Sequence, residues 1–513
     1  MKQFETVRIQ KPKSSVFDLS HENKLTMDMA KLVPVFLQET IPGDKFRVNT
    51  ECLLRFQPLL APIMHRVNVY VHFFFVPNRL IWDDWKDFIT GGKLGTLEPN
   101  HPKLTGTGNE AVEAFGLNSL GDYLGIPVKN YVADGEQITP VSQLPFRAYQ
   151  LIYNEYYRDQ NMEDEIVIPK GSLDYVVSSE FGQRLHLIRT RSWEKDYFTS
   201  CLPTAQRGAA VKLPLIGTVD VSGHALFKKE SDGTNPDAGN TKFLGASDRL
   251  SDANSNLLEV VGGLTGELDE ATATTISELR TAFSLQRWME KMMRGGARYI
   301  EQIKMMFGVT SSDARLQRPE YLGGGKLPVA ISEVLQTSET NTTAQGNMSG
   351  HAVSAGMATG FSKFFEEHGF VIGIISVLPR TAYMQGLPRI FSKFDRFDYF
   401  WPDFAHIGEQ PVFNRELFVS NDDNDEETFG YQPRYSEYRY MYDHVHGDFR
   451  DTLKFWHMAR EFNELPLLGK NFTMANPTTR IYPVEDLRFK KLIVQLYFNF
   501  RAIRPIPKFG DPV

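Results

Sequence analysis

The sequence predicts a mainly β protein whose strands lie towards the two ends of the chain, with long, partly helical insertions between them. Three observations carry this expectation. Apolar and polar residues alternate through 46–56, 67–75 and 490–503, the period of a strand with one buried face. Helical periodicity is confined to the connections between such runs. Of 513 residues, 37 are Phe and 20 Tyr, types that fill sheets and broad interfaces.

The elements follow in order. Residues 1–30 are polar and mildly basic, with Lys2, Arg8, Lys11 and Lys13 against Glu5, and are expected to form an N-terminal arm ordered by contact with something else. Ile41-Pro42-Gly43-Asp44 puts Pro and Gly at the two central positions of a type II turn. Alternation at Phe46, Val48, Thr50, Cys52, Leu54 and Phe56, then at Val67, Val69, Val71, Phe73 and Phe75, predicts two strands expected to be neighbours in one sheet. Past Pro145, the run FRAYQLIYNEYYRDQ places Phe146, Tyr149, Tyr153 and Tyr156 on one helical side. Residues 214–275 are rich in Gly, Ser, Asn and Asp and have Phe227 and Phe243 as their only aromatics. A stretch this long is a surface excursion or a small subdomain rather than a loop.

Thr275-Ile-Ser-Glu278 is a capping-box pattern that opens a helix ended by Gly295-Gly296, and a second helical segment runs through Tyr299, Ile303 and Met306. A Gly/Ser/Thr/Asn-rich loop is expected over about 336–360. EHGFVIGIISVLP (367–379) is the pattern of a strand buried on both faces, and 490–503 returns to strict alternation. The organisation expected is therefore an arm (1–30), a first β part with a helical insertion (31–213), a surface insertion (214–275) and a second part of helices, loops and strands (276–513).

Composition excludes several functions. The net charge is −7, so any nucleic-acid contact must come from a local patch rather than from the global field. Two cysteines, Cys52 and Cys201, make neither a disulfide framework nor a Cys-based zinc site and suit a reducing compartment. No signal-length apolar segment opens the sequence, and the longest apolar run, 370–378, is too short to span a bilayer. A soluble protein made inside a cell is expected.

Several stretches have the residue types of a chemical site. Gly323-Gly324-Gly325-Lys326 suggests a phosphate cradle, but Leu327 and Pro328 replace the Ser/Thr and helix that a P-loop needs, so a tight structural turn is expected. His444-Val-His446 could share a strand face as metal ligands, although a loop histidine pair with ordinary hydrogen bonds fits better. The acidic tip Asp422–Glu427 lacks the glycine and distal glutamate of a calcium loop. No nucleophile elbow occurs, and Cys201 has no base beside it, so no catalytic residue is expected. Met289, Met292, Met293, Met305 and Met306 suit packing better than soft-metal ligation. The aromatic stretch 392–410, with Lys393 and Arg396, fits a subunit interface or a stacking platform for single-stranded nucleic acid. The tail from 488 sets six basic residues against Asp511. Within it Arg501, Arg504 and Lys508 join Lys2, Arg8, Lys11 and Lys13 as nucleic-acid-binding candidates.

Six blocks carry a family resemblance: LVPVFLQETIPGDKF, DYFTSCLPTAQRG, FGVTSSDARLQRPEYLGGG, EEHGFVIGIISVLPR, FWPDFAHIGEQ and FGYQPRYSEYRY. In content and order they resemble the major capsid protein of gokushoviruses, small single-stranded DNA phages of the Microviridae, from about residue 15 to the end. The resemblance implies a viral eight-stranded antiparallel jelly roll and a non-enzymatic, cofactor-free subunit. It implies sixty copies in a T=1 icosahedral shell around a circular single-stranded DNA genome, assembled in the host bacterial cytoplasm. It further implies a small basic DNA-packaging protein and a DNA pilot protein as partners, and threefold protrusions that contact a host cell-surface receptor through 214–275. Two departures stand out: Thr204-Ala205-Gln206-Arg207 replaces a Trp-Pro continuation found in many relatives, and 214–275 carries no family motif. Within the glycine block, Arg315, Arg318 and Glu320 are candidates for intersubunit ion pairs. The alternative from another class is a monomeric host-receptor-binding module of a phage.

Overall fold

Ten strands build the main body of the chain. They are β1 (Ser15–Asp18), β2 (His21–Met27), β3 (Val33–Thr40), β4 (Lys45–Phe56), β5 (Val67–Pro77), β6 (Glu320–Pro328), β7 (Ala330–Leu335), β8 (Met348–Phe364), β9 (Gly369–Pro379) and β10 (Leu492–Arg504). This is a computed structural model, and it describes residues 14–94, 96–106, 114–128, 139–208, 221–229, 231, 242–244, 249–251, 258–266, 276–295, 305, 317–339, 345–484, 486 and 488–508. The fold is mainly β, in several sheets whose pairings are antiparallel but for two short ones.

A six-stranded sheet has β10 between β4 and the pair β1 and β2, with β8 and then β7 beyond β4. A four-stranded sheet runs β6-β5-β9-β3. The alternation in β4 and β10 fixes which faces meet. Phe46, Val48, Leu54 and Phe56 of β4, with Leu492, Val494, Leu496, Phe498 and Phe500 of β10, point inward and pack on Val69, Val71, Phe73, Val371 and Ile375 of the other sheet. Phe36, Phe46, Phe73, Phe498 and Phe500 form a chain of ring contacts with centroids 5.0–6.4 Å apart. Each such ring, fully buried, contributes roughly 1.5–3 kcal/mol.

The four-stranded sheet is covered on its far face as well. Phe74, Val76, Ile372 and Ile374 meet a second core formed by Trp82, Phe115 and helix α1 (Leu144–Ile152), which continues as a π-helical turn over Tyr153–Tyr157. This double cover explains why β5 and β9 are apolar almost without interruption. The six-stranded sheet, in contrast, shows an open outward face.

The chain divides into two compact units, 1–205 with 295–513, and 206–294. In the second, strands Val221–Lys229 and Leu258–Gly266 pair antiparallel, and helix α2 spans Ile276–Gly295.

Four expectations need correction. The runs 46–56 and 67–75 are not sheet neighbours: β4 and β5 lie in different sheets, facing each other across the core. Residues 348–360, expected as part of a loop, belong to the 17-residue strand β8, whose glycines let neighbouring backbones approach; a Cβ on Gly350 would lie 2.3 Å from the Ala61 carbonyl oxygen. Residues 15–27, counted with the arm, are strands paired to β10. The three glycines are no turn. They sit within β6, paired to β5, at a bulge where Gly323 has φ +153°. The type II turn is present: Gly43 has φ +98°, and the Asp44 N–H donates to Ile41 O at 3.1 Å. The second helical segment, through Tyr299, Ile303 and Met306, lies outside the described residues.

Candidate functional site

Exposed apolar side chains of the main unit are concentrated in one segment, although Leu94, Leu117, Met441 and Leu467 are bare elsewhere. Ile390, Phe391 and Phe394 are 72, 65 and 87% exposed, and Phe397, Tyr399 and Trp401 remain about half exposed. Short local bonds set these rings outward. Successive 3-10 turns (Arg389–Ser392, Arg396–Asp398, Pro402–Phe404) leave no strand or helix face to bury. Asp398 caps the middle turn by accepting the N–H groups of Asp395 (2.9 Å) and Phe394 (3.0 Å), and these bonds hold its carboxyl below the usual range. The Trp401 indole donates to Arg396 O at 2.8 Å.

Beneath the rings lies a buried ionic latch. Arg389 sits 3.1 Å from the Glu416 carboxylate, which also accepts the Tyr197 hydroxyl (3.0 Å) and the Phe413 N–H (3.0 Å). Lys393 lies 3.3 Å from Glu437 and 3.9 Å above the Tyr438 ring. Burial pushes the Glu416 carboxyl up, while Arg389 and the two hydrogen bonds pull it back. The segment is thus pinned from below and bare above, an arrangement suited to being covered by another surface.

A groove of about 1250 Å³ opens elsewhere in the same unit, lined by His72, Tyr157, Arg191, Glu194 and Tyr321 among others. The Tyr70 hydroxyl donates to Glu194, Lys326 lies 3.1 Å from the same carboxylate, and Arg191 stacks 4.1 Å over the Tyr70 ring. His72 bonds to the Tyr157 hydroxyl at 2.8 Å, and burial pushes its imidazole down to about 4. His65, whose Nε2 donates to Arg380 O at 2.6 Å, is likewise held down to about 4 by burial. Both rings are neutral in the folded chain and take up protons first when unfolded. Their contribution is complete above about pH 6.5 and is lost as pH falls towards 4, by up to roughly 1 kcal/mol per pH unit each. Thermal midpoints should therefore drop across this window, and His72→Gln should flatten the drop. An unchanged slope in that variant would remove His72 from the account.

The other residues singled out by sequence fall as follows. Lys2, Arg8, Lys11, Lys13 and Arg315 lie outside the described residues. Arg501 is exposed on β10, and Lys508 is exposed beyond it. Arg504 is engaged inside the chain: it donates to Glu39 O at 2.8 Å, lies 3.4 Å from the fully buried Asp44 carboxylate and covers the Phe46 ring. Arg318 stacks 5.2 Å over Tyr156, and Glu320 pairs with Lys363 of the same chain at 2.5 Å. His444 and His446 stack with ring centres 5.9 Å apart, but among the described residues no group of three or more His, Cys, Asp or Glu is placed to hold a metal. Cys52 and Cys201 are free and buried, and burial pushes the Cys52 thiol up to about 12 and Cys201 higher still. The acidic tip is a 3-10 turn (Asp423–Glu426) capped by Asp422, with Glu426 paired to Arg415. Sequence reasoning missed the latch residues Arg389, Glu416 and Glu437. Glu416 offers one signal, an acid among the apolar residues of FNRELF.

Comparison with known proteins gives a consistent result. A family model described as capsid protein (F protein) matches residues 2–513. The capsid protein VP1 of Chlamydia phage 1 is 36% identical, covering 97% of this chain and 95% of that protein. The capsid protein VP1 of Bdellovibrio phage phiMH2K is 36% identical over the same shares, and that of Spiroplasma virus 4 is 29% identical over 98% and 95%. A surface built for cover agrees with these names. The chain belongs to the capsid protein (F protein) family, in its gokushovirus (Microviridae) part.

Proposed function

We propose that this chain is the major capsid subunit of a phage, self-assembling in sixty copies into a T=1 icosahedral shell around a circular single-stranded DNA genome. The observation that carries the reading is the outward aromatic segment Ile390–Trp401, fixed by the Arg389–Glu416 latch and bare in the single chain. Burying such rings between subunits supplies the association energy that ordering long loops costs.

Strand order supports a jelly roll. Taking β2, β3, β4, β5, β6, β8, β9 and β10 as eight consecutive strands, one sheet runs first, eighth, third, sixth, and the other second, seventh, fourth, fifth. Chain-distant strands become neighbours in this way when one long hairpin is rolled into two facing sheets. The separate unit 206–294 gives the insertion 214–275 a body of its own, consistent with a protrusion that meets a host cell-surface receptor. A small basic packaging protein and a DNA pilot protein complete the set of partners. The basic arm and the tail cations Arg501 and Lys508 would face the genome, and Arg318 with Arg315 would pair across subunits.

Electron microscopy of the purified protein tests the reading. Closed shells or capsomers are expected. Dispersed monomers under every assembly condition, phage partners included, would overturn it. Deleting 214–275 should cost threefold contacts or infectivity; loss of host binding alone, with assembly untouched, would favour a receptor-binding module instead.

A further inference from the structure

The outward face of the six-stranded sheet carries a charge arrangement that the fold itself does not explain. Lys45, Arg47 and Arg55 project from β4 and Arg501 from β10, all exposed. Arg47 and Arg501 stand directly opposite each other in the β4–β10 register. Like charges in that position destabilise a sheet. On its other side Arg47 faces Ser362 of β8, which offers no charge. Arg501 faces Asp18 of β1, whose carboxyl is held by the Ser20 hydroxyl and N–H and feels Arg501 only as a weaker pull. Among the described residues, none of these four cations has an ion-pair partner within 4.0 Å. Arg79, Arg380, Lys490 and Arg504 of the same unit all have one.

Beside the pair the face carries neutral, aromatic and acidic side chains. Asn49 and Asn499 stand opposite each other two steps along, and Tyr497, still 36% exposed, comes next on the same face, between the exposed carboxylates Glu51 of β4 and Glu22 of β2. Ile503 and Met357 add apolar area there. Ser15, where β1 begins, pairs with Arg504, so the segment bearing Lys2, Arg8, Lys11 and Lys13 is joined to the sheet at the arginine end.

We propose that this sheet face is a platform for single-stranded nucleic acid. Arg47 and Arg501 clamp one phosphate between them, Lys45 holds the next, Arg55, about 26 Å along β4 from Arg47, meets one several nucleotides away, and a base stacks on Tyr497. A phosphate between the two guanidiniums turns their repulsion into two charge-assisted contacts. The open apolar and aromatic area favours a strand with accessible bases over a duplex, whose bases are already stacked. The proposal deepens the reading of the chain as a genome-enclosing subunit and rests on it for the source of the strand.

The test is fluorescence anisotropy of the full-length purified protein with a labelled oligothymidylate, titrated at several salt concentrations. The Arg47→Ser/Arg501→Ser variant should bind about tenfold or more weakly, and its salt slope should shrink by about 0.7 for each phosphate that is no longer neutralised. Tyr497→Ala should weaken binding about tenfold with the slope unchanged. Because a repulsive pair is removed, the double variant should melt at or above the parent temperature. If it melts early, the single variants carry the same test. Parent-like binding by the arginine variants overturns the proposal. So does loss of self-association with oligonucleotide binding intact, which would assign the face to an acidic segment of a second copy. Parent protein that binds the oligonucleotide but never forms shells would sink the capsid reading alone.

Discussion

Gly324→Ala is expected to destabilise the main unit by about 3 kcal/mol, and Gly324→Val by more. A Cβ on Gly324 would lie 2.4 Å from the Val71 carbonyl oxygen, 2.7 Å from His72 Cδ2 and 2.8 Å from the Tyr321 hydroxyl. The first of these is backbone of β5, hydrogen-bonded in the sheet and unable to retreat without breaking the β5–β6 register. Urea unfolding of the purified variant measures the cost. A result within about 0.5 kcal/mol of the parent would show that β6 can slide away from β5. The three glycines serve the close approach of two strands, not the binding of an anion.

The second large effect concerns assembly with the fold preserved. Replacing Ile390, Phe391 and Phe394 together by serine removes side chains that are 65–87% exposed in the single chain. Thermal stability should stay close to that of the parent, since exposed positions away from buried networks change stability little. If each side chain contributes about 1.5 kcal/mol when covered by a neighbour, subunit association should weaken about a thousandfold. Sedimentation of parent and variant across a concentration series reads this directly. Unchanged association with unchanged melting would move the interface elsewhere.

Much of the β framework is legible in the sequence because alternation reports which side of a strand is buried. β4, β5 and β10 lie within two residues of the ranges that alternation marks, β9 within two of the continuous apolar run, and the helix after Pro145 is where periodicity puts it. Alternation says nothing about which strand lies alongside, and so β4 and β5 read as neighbours when they face each other across the core. Gly323, Gly324 and Gly325 have no side chains to alternate, and a glycine-rich strand looks like a turn until its partner is known.

The same limit governs the site. Phe73 and Phe394 are one letter in the sequence, yet the first is fully buried and the second 87% exposed. Only the 3-10 turns around Pro402 and Asp398 separate the two environments. Arg501 and Arg504 are three residues apart on one strand, and charge alone does not tell the open side chain from the one spent on Asp44. Arg47 gives no signal in the sequence because its importance lies in the residue opposite, and register is a property of the folded sheet.

The place of β10 has a consequence for synthesis. This strand leaves the ribosome long after β2 and β4, yet it fills the slot between them. Until it arrives, β4 has an open edge and the inward rings Phe46 and Phe56 lack their cover. A product that terminates early keeps that slot open and is left to aggregation or proteolysis. Synthesis of β10 thereby becomes the checkpoint for assembly: chains that carry it present a closed sheet, and fragments that lack it disqualify themselves.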